Sequence, residues 1–278
     1  MRIAIQGEFG SFHHQAVNTL NLDADVVPKL NFAAVFRAVL EGETELGMCA
    51  IENSLYGSIN EVYRLLERHD VWIVGGVRLH ISQQLIGPTP VSLAELAASN
   101  DVRILSQTPA LAQVELWLDT HLPNAAREET HDTAGSVQTV VALAQPHSLA
   151  VAGAFAAKTY GGTIIAEDIQ DDPYNYTRFI LFRRDHKIVP DATHGSMIIK
   201  TNHEHGALVR ALEIFANAGC NLTKVDSHPT SGDAHHYAFY IDYELPKTGS
   251  ANIIYELEKI GCTVKPLGEY TPAQESPM

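Results

Sequence analysis

Four short segments of this sequence carry hydroxyl, amide and charged side chains that could act on a small anionic molecule. Three are GEFGSF (residues 7–12), IENSLYGSI (51–59) and HDTAGS (131–136), and the fourth is NYTRF (175–179). Each of the first three lies between a predicted strand and a predicted helix. Because free backbone N–H groups at a helix N-terminus bind anions, the sequence predicts a cleft for a small molecule with several negative charges.

Each of these segments also has an ordinary structural explanation. Ser11 can cap the helix that follows it, and Thr133 is the expected N-cap of another, with Ala134 and Gly135 leaving backbone amides open to a carboxylate. Asn, Ser and Gly are common turn residues, and a tight turn or a capped helix explains GEFGSF and HDTAGS about as well as a site does. Function is favoured for IENS, because Glu52 directly follows a buried strand, where open α/β sheets bind ligands.

The NYTRF segment leads into a strand pattern. Strict alternation places Thr177 and Phe179 on one face of that strand and Arg178 on the other. The Thr and Arg side chains can therefore serve one ligand only where the chain enters the sheet.

The elements that must position these residues follow an α/β pattern. Short apolar strands alternate with helical patterns in two successive blocks, and a return strand follows at residues 177–182. This order predicts a mostly parallel sheet in each of two lobes, with a cleft between them. Residues 185–194 have the composition of a linker. From residue 195 the order changes to βαββαβ, the ferredoxin-like arrangement, which ends near residue 270 and leaves 271–278 as a predicted disordered tail.

Composition narrows the classes of function. A length of 278 residues suggests about two domains. The net charge of −14 argues against nucleic acid and anionic membranes as partners. No apolar run reaches the roughly 20 residues that a membrane span needs, and the first residues lack the pattern of a signal peptide. Three cysteines without a CxxC pair predict reduced structural thiols and a cytoplasmic location. The 14 histidines match no zinc spacing, so no metal is expected.

Taken in order, the motifs resemble the prephenate dehydratase family. The resemblance extends over residues 1–184. The motifs that carry it are, in chain order, GxxGSF followed by H-Q-A, I-E-N-S followed by G-S-I-N-x-V-Y, a T-A-G turn, and N-Y-T-R-F. Residues 205–229 resemble the amino-acid-sensing ACT domain of the same enzymes. The resemblance implies the monofunctional form of the enzyme. It implies a two-lobed catalytic domain like that of periplasmic binding proteins over residues 1–184 and a regulatory ACT domain over 195–270.

The resemblance also implies a reaction and its residues. The family converts prephenate to phenylpyruvate, water and CO2 in phenylalanine biosynthesis, a carbon–oxygen lyase reaction that needs no cofactor. Thr177 is then the hydroxyl that assists departure of the ring hydroxyl, with a cation such as Arg178 to help it. We expect phenylalanine to act as feedback effector and the chain to form a homodimer or homotetramer. The implied substrate-binding residues are Ser11, Phe12, Glu52, Asn53, Ser54, Thr133, Ala134, Gly135 and Phe179. The implied effector-binding residues are Gly206, Ala207, Leu208, Asn221, Leu222 and Ser227, with Asn221 and Leu222 supplied by a neighbouring subunit.

The sequence departs from the family pattern at three places. His13 stands where the family has Ser or Thr, and Ser106-Gln107-Thr108-Pro109 replaces a Ser-His-Pro-Gln run. Asp226-Ser227-His228-Pro229 replaces the regulatory Glu-Ser-Arg-Pro. The loss of that arginine predicts weaker or pH-dependent phenylalanine control.

Two other functions fit the same pattern. Arogenate dehydratase acts on a substrate that differs only by an amino group in place of the keto oxygen, and no residue here separates the two. A non-catalytic two-lobed protein that binds small molecules or amino acids would also suit the α/β pattern, although the intact TRF argues against it.

Overall fold

The computed structural model describes residues 1–229 and 237–273. They form two compact units, one comprising Met1–Ile59 with Val77–Phe179 and the other Asn60–Gly76 with Ile180–Ala273. The predicted boundaries at residues 184 and 194 stay predictions, and the predicted tail lies beyond residue 273, mostly outside the described residues.

The first lobe is built around a mixed sheet of six strands. The order along the sheet is β2-β1-β3-β11-β5, and β4 pairs with β3. The strands β1 and β2 are parallel, as are β1 and β3. The elements are β1 (Arg2–Gln6), α1 (Phe12–Thr19), β2 (Asp25–Lys29), α2 (Phe32–Leu40), β3 (Leu46–Asn53), β4 (Gly57–Ser58), β5 (Trp72–His80) and β11 (Tyr176–Arg183). Helix α3 (Asn60–Arg68) lies between β4 and β5 in the chain and is part of the second unit.

The second lobe has a five-stranded sheet in the order β10-β6-β9-β7-β8. Its inner pairs β7–β8 and β7–β9 are parallel, whereas β6–β9 and β10–β6 are antiparallel, so the expectation of a mostly parallel sheet is only half met here. The elements are β6 (Gln84–Gly87), α4 (Leu93–Ala98), β7 (Arg103–Ser106), α5 (Thr108–Ala112), α6 (Glu115–His121), β8 (Ala126–Glu129), α7 (Thr133–Leu143), β9 (Ser148–Ala152), α8 (Ala154–Tyr160) and β10 (Thr163–Ala166).

The predicted βαββαβ order is confirmed in the second unit. Its antiparallel sheet runs β13-β14-β12-β15, which places the first and third strands in the middle, as in ferredoxin-like folds. The elements are β12 (His194–Lys200), α9 (Ala207–Asn217), β13 (Leu222–Pro229), β14 (Tyr237–Glu244), α10 (Ala251–Lys259) and β15 (Thr263–Tyr270). Helix α9 buries Ala207, Ala211 and Phe215, a spacing of four residues that places one apolar face on the sheet.

Helix α3 belongs to this second unit. Lys265 of β15 donates from Nζ to the carbonyl oxygens of Leu66, Glu67 and His69 at 2.9, 2.9 and 2.7 Å. A cation at a helix C-terminus satisfies carbonyls that have no partner inside the helix and interacts favourably with the helix dipole. A long-range ion pair from Lys200 Nζ to Glu67 Oε1 at 2.7 Å adds to the attachment.

Among the described residues, no helix is long and apolar enough to cross a membrane. The cysteines Cys49, Cys220 and Cys262 are all free thiols.

Candidate active site

Three polar side chains meet where β3 ends and β11 begins. Asn53 donates from Nδ2 to Thr177 Oγ1 at 3.0 Å, to Asn175 Oδ1 at 2.8 Å and to the Tyr176 carbonyl at 3.1 Å. Thr177, Asn53 and Asn175 are 9%, 7% and 0% exposed. Because the Asn53 N–H occupies a lone pair of the threonine oxygen, the hydroxyl proton of Thr177 is left to donate elsewhere.

The orientation of the Asn53 amide follows from its other contacts. Its Oδ1 accepts from the backbone N–H groups of Leu55 and Tyr56, both at 3.0 Å. An amide oxygen must face these donors, so Nδ2 must face Thr177. Both ends of the Asn53 amide are therefore hydrogen-bonded to protein groups. Asn53 can affect a bound substrate through its hydrogen bond to Thr177.

Ser54 fastens the same two segments together. Its hydroxyl donates to the Tyr174 carbonyl at 2.8 Å and accepts from the Tyr176 N–H at 2.9 Å, while its own N–H donates to the Tyr176 carbonyl at 2.8 Å. On the other side, the N–H of Ile81 donates to the Asn175 carbonyl at 2.8 Å. Thr177 is thus presented by a strand entrance that is hydrogen-bonded on both sides.

Arg178 lies on the opposite face from Thr177. Its Nε is 3.6 Å from Glu52 Oε2, and both side chains are partly exposed. Side chains alternate along both strands, so Glu52 and Arg178 share one face while Asn53 and Thr177 share the other. The cation therefore lies beside a carboxylate, and the polar group that contacts the Thr177 hydroxyl is the Asn53 amide.

The GEFGSF segment packs against the second lobe. Gly10 has φ +82°, a left-handed backbone conformation that favours glycine. A Cβ added there would lie 3.0 Å from the Cα of Ala156 in α8, so there is also no room for a side chain. Phe12 lies against Gly153 at the start of the same helix, where an added Cβ would be 2.9 Å from its ring. Ser11 is the N-cap of α1, as expected, and accepts from the N–H of His14 at 3.3 Å.

The N-cap of α7 is Asp132, which corrects the assignment of Thr133. Asp132 Oδ1 accepts from the Gly135 N–H at 2.6 Å, and an added Cβ on Gly135 would meet the same carboxylate. Asp is as good an N-cap as Ser or Thr, so its position one residue earlier decides where the helix starts. The Gly135 amide is consequently occupied by a carboxylate of the protein. Thr133 and Ala134 are buried in the first turn.

Phe179, two residues after Thr177 on β11, packs against His13 in the core. Phe179 is 1% exposed and its ring centroid lies 5.0 Å from that of His13, edge to face. His13 Nε2 accepts from the Ala50 N–H at 3.1 Å. Burial lowers the pKa of His13 to about 3, so the ring is neutral at physiological pH. The structure places Phe179, expected to bind substrate, in the core as packing.

The expected effector residues fall into two groups within one chain. Gly206, Ala207 and Leu208 line a cavity of about 260 Å³ together with Asn202 and Phe239. Ser227 pairs with Phe239 in the sheet. Asn221 and Leu222 lie at the other end of β13, where Asn221 Nδ2 donates to Glu244 Oε1 at 3.1 Å.

His228, which replaces the arginine of the family's regulatory Glu-Ser-Arg-Pro motif, is not among the residues that line this cavity. Its ring stacks on Tyr63 of α3 at 5.3 Å and meets Tyr240 edge-on at 5.0 Å, and Tyr240 Oη donates to the Tyr63 carbonyl at 2.9 Å. In the described parts of the chain no group of three or more His, Cys, Asp or Glu could hold a metal ion. The adjacent histidines His235 and His236 lie outside these parts.

Sequence reasoning overlooked Asn175 and Asp132. Asn175 is the first residue of the NYTRF segment. An amide side chain directly before a buried strand was the sequence feature that could have identified it. Asp132 directly precedes the expected cap, and a carboxylate before a helical pattern is itself a cap signal.

Comparison with known proteins gives a consistent family. A family model described as prephenate dehydratase matches residues 3–187. Arogenate dehydratase/prephenate dehydratase 2 of Arabidopsis thaliana, a chloroplastic protein, is 34% identical over 284 residues, covering 97% of this chain and 72% of that protein. The structure of prephenate dehydratase from Arthrobacter aurescens in complex with L-Phe superposes with a TM-score of 0.83 at 28% identity, covering 100% of this chain and 94% of that one. GqqA, described as a novel type of quorum quenching acylase, is equally similar, with a TM-score of 0.83 at 28% identity over 98% of each chain.

Proposed function

This chain belongs to the prephenate dehydratase family, and from that premise we propose that it converts prephenate to phenylpyruvate in phenylalanine biosynthesis. The observation that carries the proposal is the buried Thr177 hydroxyl, which accepts a hydrogen bond from Asn53 and so has its own proton available. That proton is directed to the ring hydroxyl of the substrate.

The bond changes balance without a redox cofactor. The C–C bond to the ring carboxylate breaks and releases CO2, and its electron pair enters the ring. The C–O bond to the ring hydroxyl breaks at the same time, and the oxygen leaves with its electron pair and takes a proton to become water. Thr177 supplies that proton and regains one from solvent, so the net reaction consumes one proton.

A neutral threonine is a weak acid, so the protein must stabilise the charge that develops on the departing oxygen. The Asn53 N–H polarises the Thr177 hydroxyl from behind, and hydrogen bonds in such a chain strengthen one another. We propose that this preorganised pair replaces the arginine as the group that assists Thr177. Arg178, beside Glu52 on the other face, is assigned to orienting the strand entrance and the charged end of the substrate.

The test is a turnover assay on the purified protein. Formation of phenylpyruvate is followed in its ultraviolet absorbance with prephenate as substrate, and CO2 release is measured in parallel. Turnover on prephenate supports the proposal. Tight prephenate binding without CO2 release would replace it with the non-catalytic binding protein.

Arogenate is the second candidate substrate, because the similar Arabidopsis protein is named for both activities. The two substrates differ only at the side-chain keto or amino group. The same assay with arogenate separates them through the ratio of the two kcat/KM values. GqqA, which is equally similar, is described as an acylase, so the protein is also assayed for acylase activity. This assay measures the release of a carboxylic acid from an acyl amide. Acid release in the absence of prephenate turnover would overturn the dehydratase proposal.

We propose that phenylalanine binds in the cavity lined by Gly206, Ala207 and Leu208. The similar A. aurescens enzyme was solved with L-Phe, and a volume of about 260 Å³ suits a ligand the size of one amino acid. Leu208 and Phe239 offer apolar surface to the ring. Gly206 has φ +73°, so a bulkier residue there would strain the backbone and confuse the test.

Leu208→Glu is the sharper variant for this site. A buried carboxylate facing the phenylalanine ring should abolish the calorimetric heat of phenylalanine binding while prephenate turnover stays. Ala216→Glu is the matched control, because Ala216 is exposed on the same helix and is not among the residues that line the cavity. Equal phenylalanine affinity in Leu208→Glu and the wild type would place the effector elsewhere.

We propose that the effector signal travels through α3 as well as through residues 183–193. The helix is held to the regulatory sheet by Lys265 and by the Tyr63 contacts of His228 and Tyr240. Its first residue, Asn60, lies two residues after the end of β4, which pairs with Glu52 and Asn53. A shift of the sheet would thus be transmitted along the chain to the residue that holds Thr177.

The three free cysteines support placing the protein in a reducing compartment such as the cytoplasm.

A further inference from the structure

Asn175 has no role in the reaction as proposed so far. Its side chain is fully buried, its Oδ1 accepts from Asn53, and within the described residues its Nδ2 has no hydrogen-bond partner. A buried amide donor without a partner costs stability, and an apolar side chain of similar shape would avoid that cost. Packing alone therefore does not explain an asparagine at this position.

The two N–H groups of Asn53 are divided between two acceptors. One points at Asn175 Oδ1 and the other at Thr177 Oγ1, with the Tyr176 carbonyl close to the second. The oxygen end of the Asn53 amide is held by the Leu55 and Tyr56 N–H groups, and its N–H end is held by the Asn175 oxygen. If the Asn175 oxygen were absent, the first N–H would be unpaired, and the amide could turn away from Thr177 toward the Tyr176 carbonyl.

We infer that Asn175 is a positioning residue that acts through Asn53 to keep the Thr177 hydroxyl directed at the departing oxygen of the substrate. The inference rests on the proposed function. An amide is suited to the task because it supplies the acceptor without a charge. A carboxylate at the same place would put a negative charge within a few ångströms of the oxygen on which negative charge develops.

Asn175→Asp tests this with a pH profile. The aspartate keeps an oxygen that can accept from Asn53, so the shape is preserved while the charge changes. We expect its kcat to be roughly 10²-fold below wild type at pH 9, from a unit charge near the reacting oxygen at an intermediate effective dielectric. Burial raises the pKa of such a carboxyl, so kcat should recover relative to wild type as the pH is lowered to 6 and the group becomes neutral. Asn31→Asp, at the exposed N-cap of α2, is the matched control and should follow the wild-type profile.

A double-mutant cycle adds a readout that a purely structural role would not change. In a Thr177→Ala background, the uncharged variant Asn175→Ala should cause little further loss of residual kcat, because its effect passes through the missing hydroxyl. Asn175→Ala also keeps the inference testable if Asn175→Asp does not fold by circular dichroism.

The results separate the inference from its premise. An Asn175→Asp profile parallel to that of wild type, or losses that add fully in the cycle, overturns the positioning role while leaving the dehydratase function in place. A wild-type protein without turnover on prephenate overturns the proposed function instead.

Discussion

His13 gives the chain a stability that depends on pH in a calculable way. The ring is 8% exposed, accepts a hydrogen bond from the Ala50 N–H and lies between the rings of Phe32 and Phe179. Burial lowers the pKa from 6.5 to about 3 in the folded protein. The folded state thus holds His13 neutral, whereas the unfolded chain takes up a proton below pH 6.5.

The magnitude follows from proton linkage. Between the two pKa values the unfolded state binds one more proton, so the free energy of unfolding falls by about 1.4 kcal/mol for each pH unit of acidification. From pH 6.5 to 4.5 the His13 contribution is about 2 kcal/mol, because the unfolded ring is already half protonated at pH 6.5. This is a sizeable part of a typical stability of about 5–15 kcal/mol. The stabilisation is complete above pH 6.5 and is lost as the pH falls toward about 3.

His13→Gln isolates this contribution, because glutamine can accept from the Ala50 N–H without titrating. Urea unfolding at pH 7.5, 6.5, 5.5 and 4.5 gives the free energy of unfolding for each protein. We expect the wild type to lose about 2 kcal/mol more than His13→Gln between pH 6.5 and 4.5. His121→Gln, at an exposed histidine, serves as the control and should follow the wild type. Equal losses in wild type and His13→Gln would refute a neutral, buried His13.

Four further outcomes are expected. Thr177→Ala should lower kcat by roughly 10²-fold or more with folding unchanged, and near-normal turnover in a steady-state assay would remove Thr177 from the mechanism. Arg178→Lys keeps the charge beside Glu52 but loses the planar guanidinium, so we expect a lower kcat/KM; wild-type kinetics would make Arg178 a surface residue. Lys265→Met should leave phenylalanine binding by calorimetry intact but weaken inhibition of turnover, because the α3 carbonyls lose their donor; undiminished inhibition would exclude α3 as the route. Light scattering should show a homodimer or homotetramer, since β13 and β15 are the edge strands of the regulatory sheet among the described residues and sheet edges favour pairing with a second copy. A monomer at micromolar concentration with phenylalanine present would contradict this.

The sequence by itself determined the order of elements and the position of the motifs. Apolar alternation and helical spacing identify most strands and helices, including the βαββαβ order, because these periodicities are local properties of the chain. The short strands β2, β6 and β10 were not predicted, since a run of only four or five residues without alternating burial carries little periodicity. Ser11 was correctly predicted as a cap because capping involves only the next three residues.

Tertiary structure decided which of the polar residues work together. Asn53 and Thr177 are 124 residues apart and meet only because β3 and β11 are neighbours in the sheet. The same pairing sets Arg178 beside Glu52 on the opposite face, and it commits the Asn53 amide to Asn175 and Thr177. Each hydrogen-bonding group has few bonding positions, so its role depends on which partners the fold brings within about 3 Å, and the sequence contains no local signal for that distance.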